Sequence, residues 1–578
     1  MRRREFSRQL KTWLLYGTVF FVFLAPVLRL VLMSFKGPSG YGLQNFSALL
    51  DDRRTVEAII NTIVIALLST AVATFLGSVL AFLMAYVDLR HKKPLEMLIL
   101  MPFIVPSYIV TLSWSGLLAR RGAINSFLVR LGMPALNMYS MTGIVLVMGI
   151  VSMPVVYFNV VHTLRKIPAD LNWAARACGC TPWQTLFRIN LRESMPAVLS
   201  GSLLAFLAAI DNFAVPAFLG IPSGITVLST LIYEKAIGFG PDAFPTAAAL
   251  SVILSVLAIG GTLLESGLIS KQGALESIRE DFQPRLQLNG HCRRRLESCL
   301  FLLLGGLNFV PLANMVLNAF LKNYGLAATR ANLSLQNFLF VFSNQGVIAA
   351  IRNSLLLAVI ATAFCLAAGT ALAYLKIRRN NGAAVMAERC AAMTYALPGI
   401  VLALAEIFHW TEPLPHVRPG IYGSISILAI AYVTRLMVLQ IKGSCNAILG
   451  INPELEDAVR ASGRSPFTMW RQVLIPLLIR PALASSALIF VSSLTELTLS
   501  SILAGAGTKT IGLTIFNFQQ AGDYNLAVAM STVVVALLLG IYLIADLERV
   551  KEEERAAYES VPRAYQPQFR QYAGAKRR

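Results

Sequence analysis

Residues 56–87 read VEAIINTIVIALLSTAVATFLGSVLAFLMAYV, and the only charged residue in this run is Glu57. A helix needs about 20 apolar residues to cross the hydrocarbon core of a bilayer, which is roughly 30 Å thick. Lipid offers no hydrogen-bond partner to an open backbone, so a run that lies in lipid must be helical. The stretch therefore predicts a membrane-spanning α-helix.

Similar apolar runs recur along the whole chain. Of the 578 residues, 56% are hydrophobic and only 14% are charged, whereas a soluble domain has about 25% charged residues. We count twelve such blocks, near residues 13–35, 56–87, 95–118, 140–162, 195–220, 243–268, 297–320, 347–375, 386–409, 420–441, 480–504 and 525–546. The sequence predicts an all-α polytopic membrane protein with about 12 transmembrane helices.

The basic residues are distributed according to membrane topology. The net charge of +20 would by itself be compatible with nucleic-acid binding. When the chain is threaded from a cytoplasmic N-terminus, however, the basic clusters fall on one side, as the positive-inside rule requires. These clusters are Arg2–Arg4, Arg90–Lys93, Arg293–Arg295, Lys376–Arg379 and Lys576–Arg578. The charge therefore predicts that both termini are cytoplasmic, and no nucleic-acid partner is expected.

Two parts of the chain repeat each other. The segment AARACGCTPW at residues 174–183 returns as AVRASGRSPF at residues 458–467, an offset of 284 residues. Upstream, Asn61-Thr62 matches Asn353-Ser354. Each copy carries six predicted spans, so both copies have the same sense in the membrane, and a pathway is expected between them. We predict a first module at 1–269, a cytoplasmic linker at 270–296, a second module at 297–548 and a cytoplasmic tail at 549–578.

One cytoplasmic loop in each copy has the composition of helices. These loops, 166–194 and 451–479, are too long for simple connectors. In the second loop, Pro453 and the acids that follow it suit a helix start, Gly463 interrupts the helix, and a second helix runs from Pro466 until Pro476. Glycine tolerates backbone angles that other residues avoid, so it suits such a corner. The pattern predicts a docking element made of two short helices.

The second loop resembles a family. Asp457-Ala458-Val459, followed by Gly463 and then by Val473-Leu474-Ile475-Pro476, is similar to the EAA loop of ABC importer permeases, whose pattern is E-A-A-x3-G-x9-I-x-L-P. The first copy keeps the Ala and Gly residues but has Trp173 and Arg192 where the pattern has Glu and Pro. The resemblance implies the type I ABC importer transmembrane fold and a bacterial inner membrane.

The resemblance also implies a coupling site and partners. In that family the loop is the coupling helix, which sits in a groove of the ATPase subunit. The residues expected to make this contact are Ala174, Ala175, Gly179, Pro182, Trp183, Asp457, Ala458, Gly463, Pro466 and Phe467. The chain has no Gly-Lys dipeptide, hence no phosphate-binding loop of the G-x-x-x-x-G-K-[ST] type. We expect a transport subunit that is not an enzyme and binds no cofactor, with ATP and Mg²⁺ bound by a separate ATPase homodimer.

The cargo expected from the resemblance is ferric iron. Fused two-copy permeases are similar to the ferric-iron type of ABC importer, with thiamine permeases close by, and related permeases carry polyamines, phosphonates or sugar phosphates. Such systems receive substrate from a periplasmic binding protein. Asp211 and Glu496 are acids within apolar spans, and such an acid costs about 2.5–3.5 kcal/mol on insertion scales, so it should face a pathway or a partner. Two facing acids would suit a cation such as Fe³⁺. Alternatively, each acid could lie near the periplasmic end of its helix, hydrated or hydrogen-bonded, with no substrate role.

Three further polar residues lie within apolar spans. Glu406 and His409 are separated by three positions, share a helix face and are candidates for the substrate pathway. Arg435 suits a snorkelling or structural charge equally well. No metal site is predicted, because Cys178-x-Cys180 and the pair at 291–292 lack a partner pair at zinc spacing.

Two other classes of protein share parts of this pattern. An ion-coupled secondary transporter of the major-facilitator kind also has twelve spans in two parallel repeats, but it does not need a duplicated helical loop after the fourth span of each half. A membrane-embedded enzyme would need clustered His, Cys or paired carboxylates at one membrane depth, and the sequence predicts no such cluster. The secondary transporter is the alternative from another class.

Overall fold

The computed structural model describes residues 2–37, 40–119, 122–238, 243–269, 280–326, 329–411 and 421–560. Ten helices in these ranges are long and apolar enough to cross a membrane: Thr12–Ser34, Arg53–Tyr86, Met141–Lys166, Pro182–Asp211, Ala243–Leu264, Gly290–Ala319, Gln345–Arg379, Ile425–Leu449, Pro466–Leu494 and Tyr524–Leu543. The shorter helices are Gln44–Asp51, Ala123–Arg130, Ala169–Ala177, Gln336–Ser343, Glu454–Ala461, Thr498–Leu503 and Ile511–Gln520. Lys36–Gly37 pairs with Gly40–Tyr41 in a small antiparallel sheet. The all-α polytopic class is confirmed.

Three more apolar segments are pairs of helices with a sharp bend between them. The pairs are Lys92–Ile104 with Ser107–Leu117, bent by 104°, Pro216–Ser223 with Leu228–Ile237, bent by 78°, and Gly382–Ala396 with Gly399–Trp410, bent by 116°. The first and third correspond to predicted spans 95–118 and 386–409, which are therefore not straight. Each breaks just before a proline, Pro106 or Pro398, because proline disfavours helical angles at the residue before it.

The chain folds as two halves, residues 2–269 and residues 290–560, that repeat the same contacts. Thr62 Oγ1 accepts a hydrogen bond from the Leu228 backbone N–H at 2.8 Å, and Ser354 Oγ accepts one from the Ile511 N–H at 2.9 Å. In both halves a hydroxyl of the second span thus ties down a later helix start. The repeat read from Asn61-Thr62 and Asn353-Ser354 extends to individual hydrogen bonds.

Small residues let the second and fourth spans of each half pack closely. A Cβ atom built on Gly77 would lie 2.8 Å from the Met153 carbonyl oxygen, and one on Gly369 would lie 2.8 Å from Cγ of Gln440. Helices in lipid associate through such close backbone approach, since there is no water to drive apolar faces together. These contacts hold each half together around the same pair of helices.

The first span of each half packs against the other half. Arg29 Nη1, on the first span of the chain, donates to the carbonyl oxygen of Phe408 at 3.2 Å. Asn308 Nδ2, on the first span of the second half, donates to the carbonyl oxygen of Leu98 at 2.8 Å. Each half therefore contributes its first helix to the packing of the other half, and these contacts hold the two halves together.

The helix boundaries differ from the predicted segments in two regions. The helix Gly290–Ala319 begins inside the segment 270–296 predicted as linker, and the helix that starts at Tyr524 runs on to Ser560, past the predicted module end. Charged residues extend both helices beyond their apolar parts. Linker residues 270–279 and tail residues 561–578 lie outside the described residues.

The two loops predicted to be docking elements, 166–194 and 451–479, here called the docking loops, also continue directly into membrane spans. The sequence predicts that the helix beginning at Pro466 ends at Pro476. In the structure this helix continues through Pro476 and runs to Leu494. A π-helical turn over Trp470–Leu474 precedes the proline. Such a turn shifts the hydrogen-bond ladder, so the missing proline N–H does not end the helix. Each loop is therefore rigidly attached to a span.

Candidate functional site

A cavity of about 850 Å³ lies between the two halves. Most of its lining comes from two of the bent helix pairs, the fourth and fifth spans and the breaks that follow the fifth spans, and Thr262 lies on the sixth span of the first half. The first half contributes Phe103, Ser107, Tyr108, Leu204 and Asp211, and the second half contributes Tyr395, Tyr432, Arg435, Lys442 and Glu496, among others. A repeat interface near the middle of the membrane is where transporters of repeated architecture bind substrate.

Asp211 and Arg435 form an ion pair across the two halves. Asp211 ends the helix that starts at Pro182, and its Oδ2 lies 2.7 Å from Arg435 Nη2. Its Oδ1 accepts the backbone N–H of Gly399 at 2.7 Å. A Cβ atom at position 399 would lie 2.5 Å from Arg435 Nη1, so glycine is required for this arrangement. The carboxylate that was predicted to face the pathway is thus held by two donors from the opposite half.

Glu496 sits at the break between two helices and caps the second of them. Its Oε1 accepts the N–H of Leu499 at 2.8 Å, and its Oε2 accepts the N–H of Ser500 at 3.1 Å. A carboxylate at a helix N-terminus satisfies N–H groups that have no partner within the helix. Both predicted acids therefore line the cavity, but both already accept hydrogen bonds from the protein.

The cations of the cavity are less completely paired. Among the described residues, Arg435 Nη1 has no hydrogen-bond partner. Lys442 lies on the same helix as Arg435, about 10 Å further along it at 1.5 Å per residue, and lines the cavity. No described carboxylate forms an ion pair with Lys442. The sequence left the role of Arg435 open, because its partner Asp211 is 224 residues away.

Glu406 and His409 lie outside the cavity lining. Glu406 is fully buried and accepts hydrogen bonds from Trp410 Nε1 at 2.7 Å and from Thr434 Oγ1 at 3.0 Å. His409 packs against the ring of Phe21, with 4.6 Å between ring centroids. Both residues contact the protein interior between the bent helix and its neighbours.

The two docking loops have the same backbone geometry. In the first, the helix Ala169–Ala177 ends before Gly179, which has a φ of +87°; in the second, Glu454–Ala461 ends before Gly463, with a φ of +70°. Only glycine adopts such angles readily. Thr181 and Ser465 then cap the following helices by accepting an N–H three residues on.

The residues predicted to contact an ATPase lie at the surface of these loops. The largest apolar side chains among them are Trp183, 66% exposed, and Phe467, 72% exposed. Trp183 stacks on Phe187, which is also exposed. Ala174, Pro182, Asp457, Ala458 and Pro466 are likewise exposed, while Ala175 is half-buried. Exposed aromatic side chains at matching positions of a repeat are typical of a contact surface.

One anchor of the second loop was missed from the sequence. Glu456 is buried and binds Arg378 Nε at 2.7 Å and the Tyr374 hydroxyl at 3.0 Å, both on the second span. Arg460 also reaches its carboxylate at 3.1 Å. In the sequence, Ala373-Tyr374 matches Ala85-Tyr86 of the first copy, so Tyr374 is the counterpart of Tyr86. The neighbouring Asp457, which matches the family pattern, is exposed and pairs with Arg460.

The described residues contain no group of three or more His, Cys, Asp or Glu side chains that could hold a metal ion. The seven cysteines are free, and three of them are buried. Any metal that passes through this chain would thus do so without a resident site of that kind in the described part.

The chain is similar to proteins of known class. A family model described as the binding-protein-dependent transport system inner membrane component matches residues 73–270 and again residues 363–548. A probable ABC transporter permease of Sinorhizobium fredii is 24% identical over 86% of this chain and 89% of the relative. The ferric transport system permease of Actinobacillus pleuropneumoniae is 22% identical over 91% of this chain and 76% of the relative. A putative 2-aminoethylphosphonate transport system permease of Salmonella typhimurium is 27% identical over 43% of this chain and 86% of the relative.

Proposed function

Since the chain belongs to the family of binding-protein-dependent transport system inner membrane components, and is a multi-pass permease of an ABC transporter, we propose that it carries its cargo through the cavity between its halves. The observation that carries this proposal is the cavity of about 850 Å³ lined by charged side chains from both halves. A periplasmic binding protein delivers the cargo, and an ATPase homodimer on the cytoplasmic side drives its passage.

The docking loops connect this cavity to the ATPase. The first loop continues through the helix Pro182–Asp211 to the cavity acid at its end, and the second continues through Pro466–Leu494 to within two residues of Glu496. A push on either loop therefore moves a rigid helix that ends at the cavity. Closing the ATPase dimer would tilt the halves and expose the cavity alternately to the two sides of the membrane.

The cargo proposed first is ferric iron. The ferric permease of Actinobacillus pleuropneumoniae aligns with 91% of this chain, so the similarity covers both halves. Asp211 from the first half and Glu496 from the second half supply carboxylate oxygens to the cavity lining, and an intramembrane acid is commonly part of an ion pathway. Iron would have to displace Arg435 from Asp211 to reach that carboxylate.

A second candidate cargo is an oxyanion such as a phosphonate, and a specific observation favours it. Both cavity acids already accept hydrogen bonds, whereas Arg435 Nη1 has no partner among the described residues. Guanidinium groups bind phosphonate-like oxygens through paired N–H donors. The phosphonate permease of Salmonella typhimurium aligns with 43% of this chain.

Opposite substitutions in the cavity separate the two cargoes. The chain would be reconstituted in vesicles with its ATPase and binding protein, and uptake of radioactive ferric iron or 2-aminoethylphosphonate measured. If the cargo is iron, the double variant Asp211→Asn with Glu496→Gln should abolish uptake. Arg435→Gln should preserve iron uptake, because it frees the Asp211 carboxylate. For an oxyanion, Arg435→Gln abolishes uptake. The exposed Arg352, on another span of the second half, provides the control Arg352→Gln. ATP-independent uptake driven by an ion gradient would contradict the importer proposal.

A further inference from the structure

The second coupling helix, Glu454–Ala461, is fixed to its half by a buried ion pair that has no counterpart among the described residues of the first half. In the second half, Arg378 binds Glu456 and also donates through Nη2 to the carbonyl oxygens of Ile451, at 2.6 Å, and Ile448. The residue 284 positions before Glu456 is Asn172, which has no charge. The first coupling helix therefore needs another means of attachment.

In the first half, the position that corresponds to Glu456 holds Asn172 and a small cavity beside it. Asn172 is buried, and neither its Oδ1 nor its Nδ2 has a hydrogen-bond partner among the described residues. Arg176 Nε and Asn190 Oδ1, which line the same small cavity of about 20 Å³, also have none. A space of this size with several polar groups is enough for a single water molecule.

A segment of the linker occupies the position next to this cavity. The stretch 281–288, here called the linker strand, lies along the end of the second span. Leu286 forms a parallel bridge with Val87, and its carbonyl oxygen accepts the N–H of Asp88 at 3.1 Å. The Asp281 N–H donates to the carbonyl oxygen of Arg165 at 2.7 Å. These backbone bonds fix the linker strand to the first half, although it leads into the second.

Arg285 of the linker strand makes one of the contacts that Arg378 makes in the other half, and it adds a contact with a tyrosine. Its side chain is 10% exposed, and its Nη2 donates to the carbonyl oxygen of Ile167, the counterpart of Ile451. Its Nη1 donates to the Tyr86 hydroxyl at 3.2 Å, and its guanidinium carbon lies 4.6 Å from the centre of that ring. Tyr86 is the counterpart of Tyr374.

Arg285 also holds the coupling helix itself. Its backbone carbonyl oxygen accepts a hydrogen bond from Arg176 Nη2 at 2.9 Å. Arg176, on the helix Ala169–Ala177, is the counterpart of Arg460, which binds Glu456 in the second half. The linker strand thus replaces both partners of the missing pair: its guanidinium stands in for Arg378 and its carbonyl oxygen for the carboxylate.

We propose that Arg285 is the positioning residue of the first coupling helix, so that the linker strand is a working part of the coupling element of the first half. The proposal rests on the proposed role of these loops in coupling ATP hydrolysis to transport. It has a mechanical consequence: the linker strand leads directly into the helix Gly290–Ala319, so a displacement of the first coupling helix also pulls on the first span of the second half.

The test compares Arg285→Ala with Arg378→Ala in the full chain, reconstituted with its ATPase and binding protein. The measured quantity is cargo transported per ATP hydrolysed, for chain that elutes as a folded complex. Both variants are expected to lower this ratio by about 2- to 30-fold, the range for residues that transmit coupling. Arg294→Ala removes the same charge from an exposed neighbouring position and should leave the ratio unchanged.

The outcomes separate the proposal from the function on which it rests. If Arg378→Ala lowers the ratio and Arg285→Ala does not, the linker strand is only packed against the first half, and the proposal is overturned. If neither variant changes the ratio, the coupling role of the loops fails as well. Should Arg285→Ala not yield folded complex, Arg285→Lys is measured alone and with Asn172→Glu. The added carboxylate should restore the ratio by recreating the pair seen in the second half, and no restoration contradicts the proposal.

Discussion

At the scale of single residues, the corner glycines of the two loops proposed to couple ATP hydrolysis to transport give a specific prediction. Gly463 has a φ of +70°, and a Cβ atom there would meet nothing within 4 Å. Alanine would thus fit sterically but would strain the backbone by about 1–2 kcal/mol. We expect Gly463→Ala to reduce transport per ATP hydrolysed while the membrane-embedded fold keeps its melting temperature.

The matched control for this prediction is Gly463→Asn. Asparagine tolerates the left-handed conformation better than alanine does, although it is larger. It should therefore retain more coupling than Gly463→Ala. If both variants lose coupling equally, coupling requires the absence of a side chain at position 463 rather than the left-handed backbone angle.

Glu406 provides a second prediction at this scale. Its carboxylate accepts hydrogen bonds from Trp410 and Thr434 in a fully buried position. Glu406→Ala leaves both donors without an acceptor, at a cost of about 1–3 kcal/mol for each, and should lower the melting temperature of the purified complex. Glu406→Gln keeps an acceptor oxygen and should be milder. If Glu406→Gln stays stable yet abolishes uptake, Glu406 acts in the substrate pathway, as its position in an apolar span predicted.

The residues of the cavity show how far sequence reasoning reaches. An acid inside an apolar run is visible in the sequence, so Asp211 and Glu496 could be singled out, and both line the cavity. The hydrogen-bond partners of Asp211 could not be predicted, because its two donors lie 188 and 224 residues away in the other half. Glu456 suited the start of a helix, but its role as an anchor could not be predicted, because an acid in a polar loop looks solvated and only folding buries it.

At the scale of helices, the duplicated hydroxyl contact predicts the effect of one substitution. Ser354→Ala leaves the buried N–H of Ile511 without an acceptor, which costs about 1–3 kcal/mol. The melting temperature should fall. Ser354→Thr should be tolerated, because Thr62 makes the same contact with Leu228 in the first half. Equal losses for both variants would show that the packing around position 354, rather than the hydrogen bond, decides stability.

The helix count illustrates a limit of hydropathy. An apolar run is counted as one span whether it is straight or bent, so the runs near 95–118 and 386–409 were expected as simple spans. Both are bent by more than 100°. The prolines at the breaks are visible in the sequence, but proline in a membrane helix is also compatible with a mild kink. After each bend, the second helix of the pair packs against the first span of the other half, a contact that hydropathy does not show.

At the scale of the whole molecule, the repeat was visible but its asymmetry was not. Sequence comparison matches Tyr86 with Tyr374 and Arg176 with Arg460, which suggests two equivalent coupling loops. The three-dimensional arrangement differs, because the first loop is braced by the linker strand and the second by Arg378. The linker looked like a simple connector since its composition is polar and its contacts are with residues far away in sequence.

The final prediction concerns the orientation of the chain in the membrane. Backbone bonds between Asp88 and Leu286, and the contact of Arg285 with Ile167, place the linker strand and the first coupling loop at one end of the molecule. The basic cluster near 90–93 follows Asp88, and the cluster near 293–295 follows the linker strand and pairs with Asp88 through Arg293, so the positive-inside rule assigns this end to the cytoplasm. ATP is available only there, which the coupling proposal requires.

Reporter fusions test this orientation. A green fluorescent protein fused after Arg578, or inserted within 270–279, should fluoresce, and alkaline phosphatase at the same places should be inactive. The control position is the loop after Gly132, between the helices Ala123–Arg130 and Met141–Lys166, at the opposite end of the latter span from the coupling loop. There the two reporters should give the reverse result. Active phosphatase at 270–279 would put the coupling loops outside the reach of ATP and would therefore refute the proposed importer mechanism, whatever the cargo.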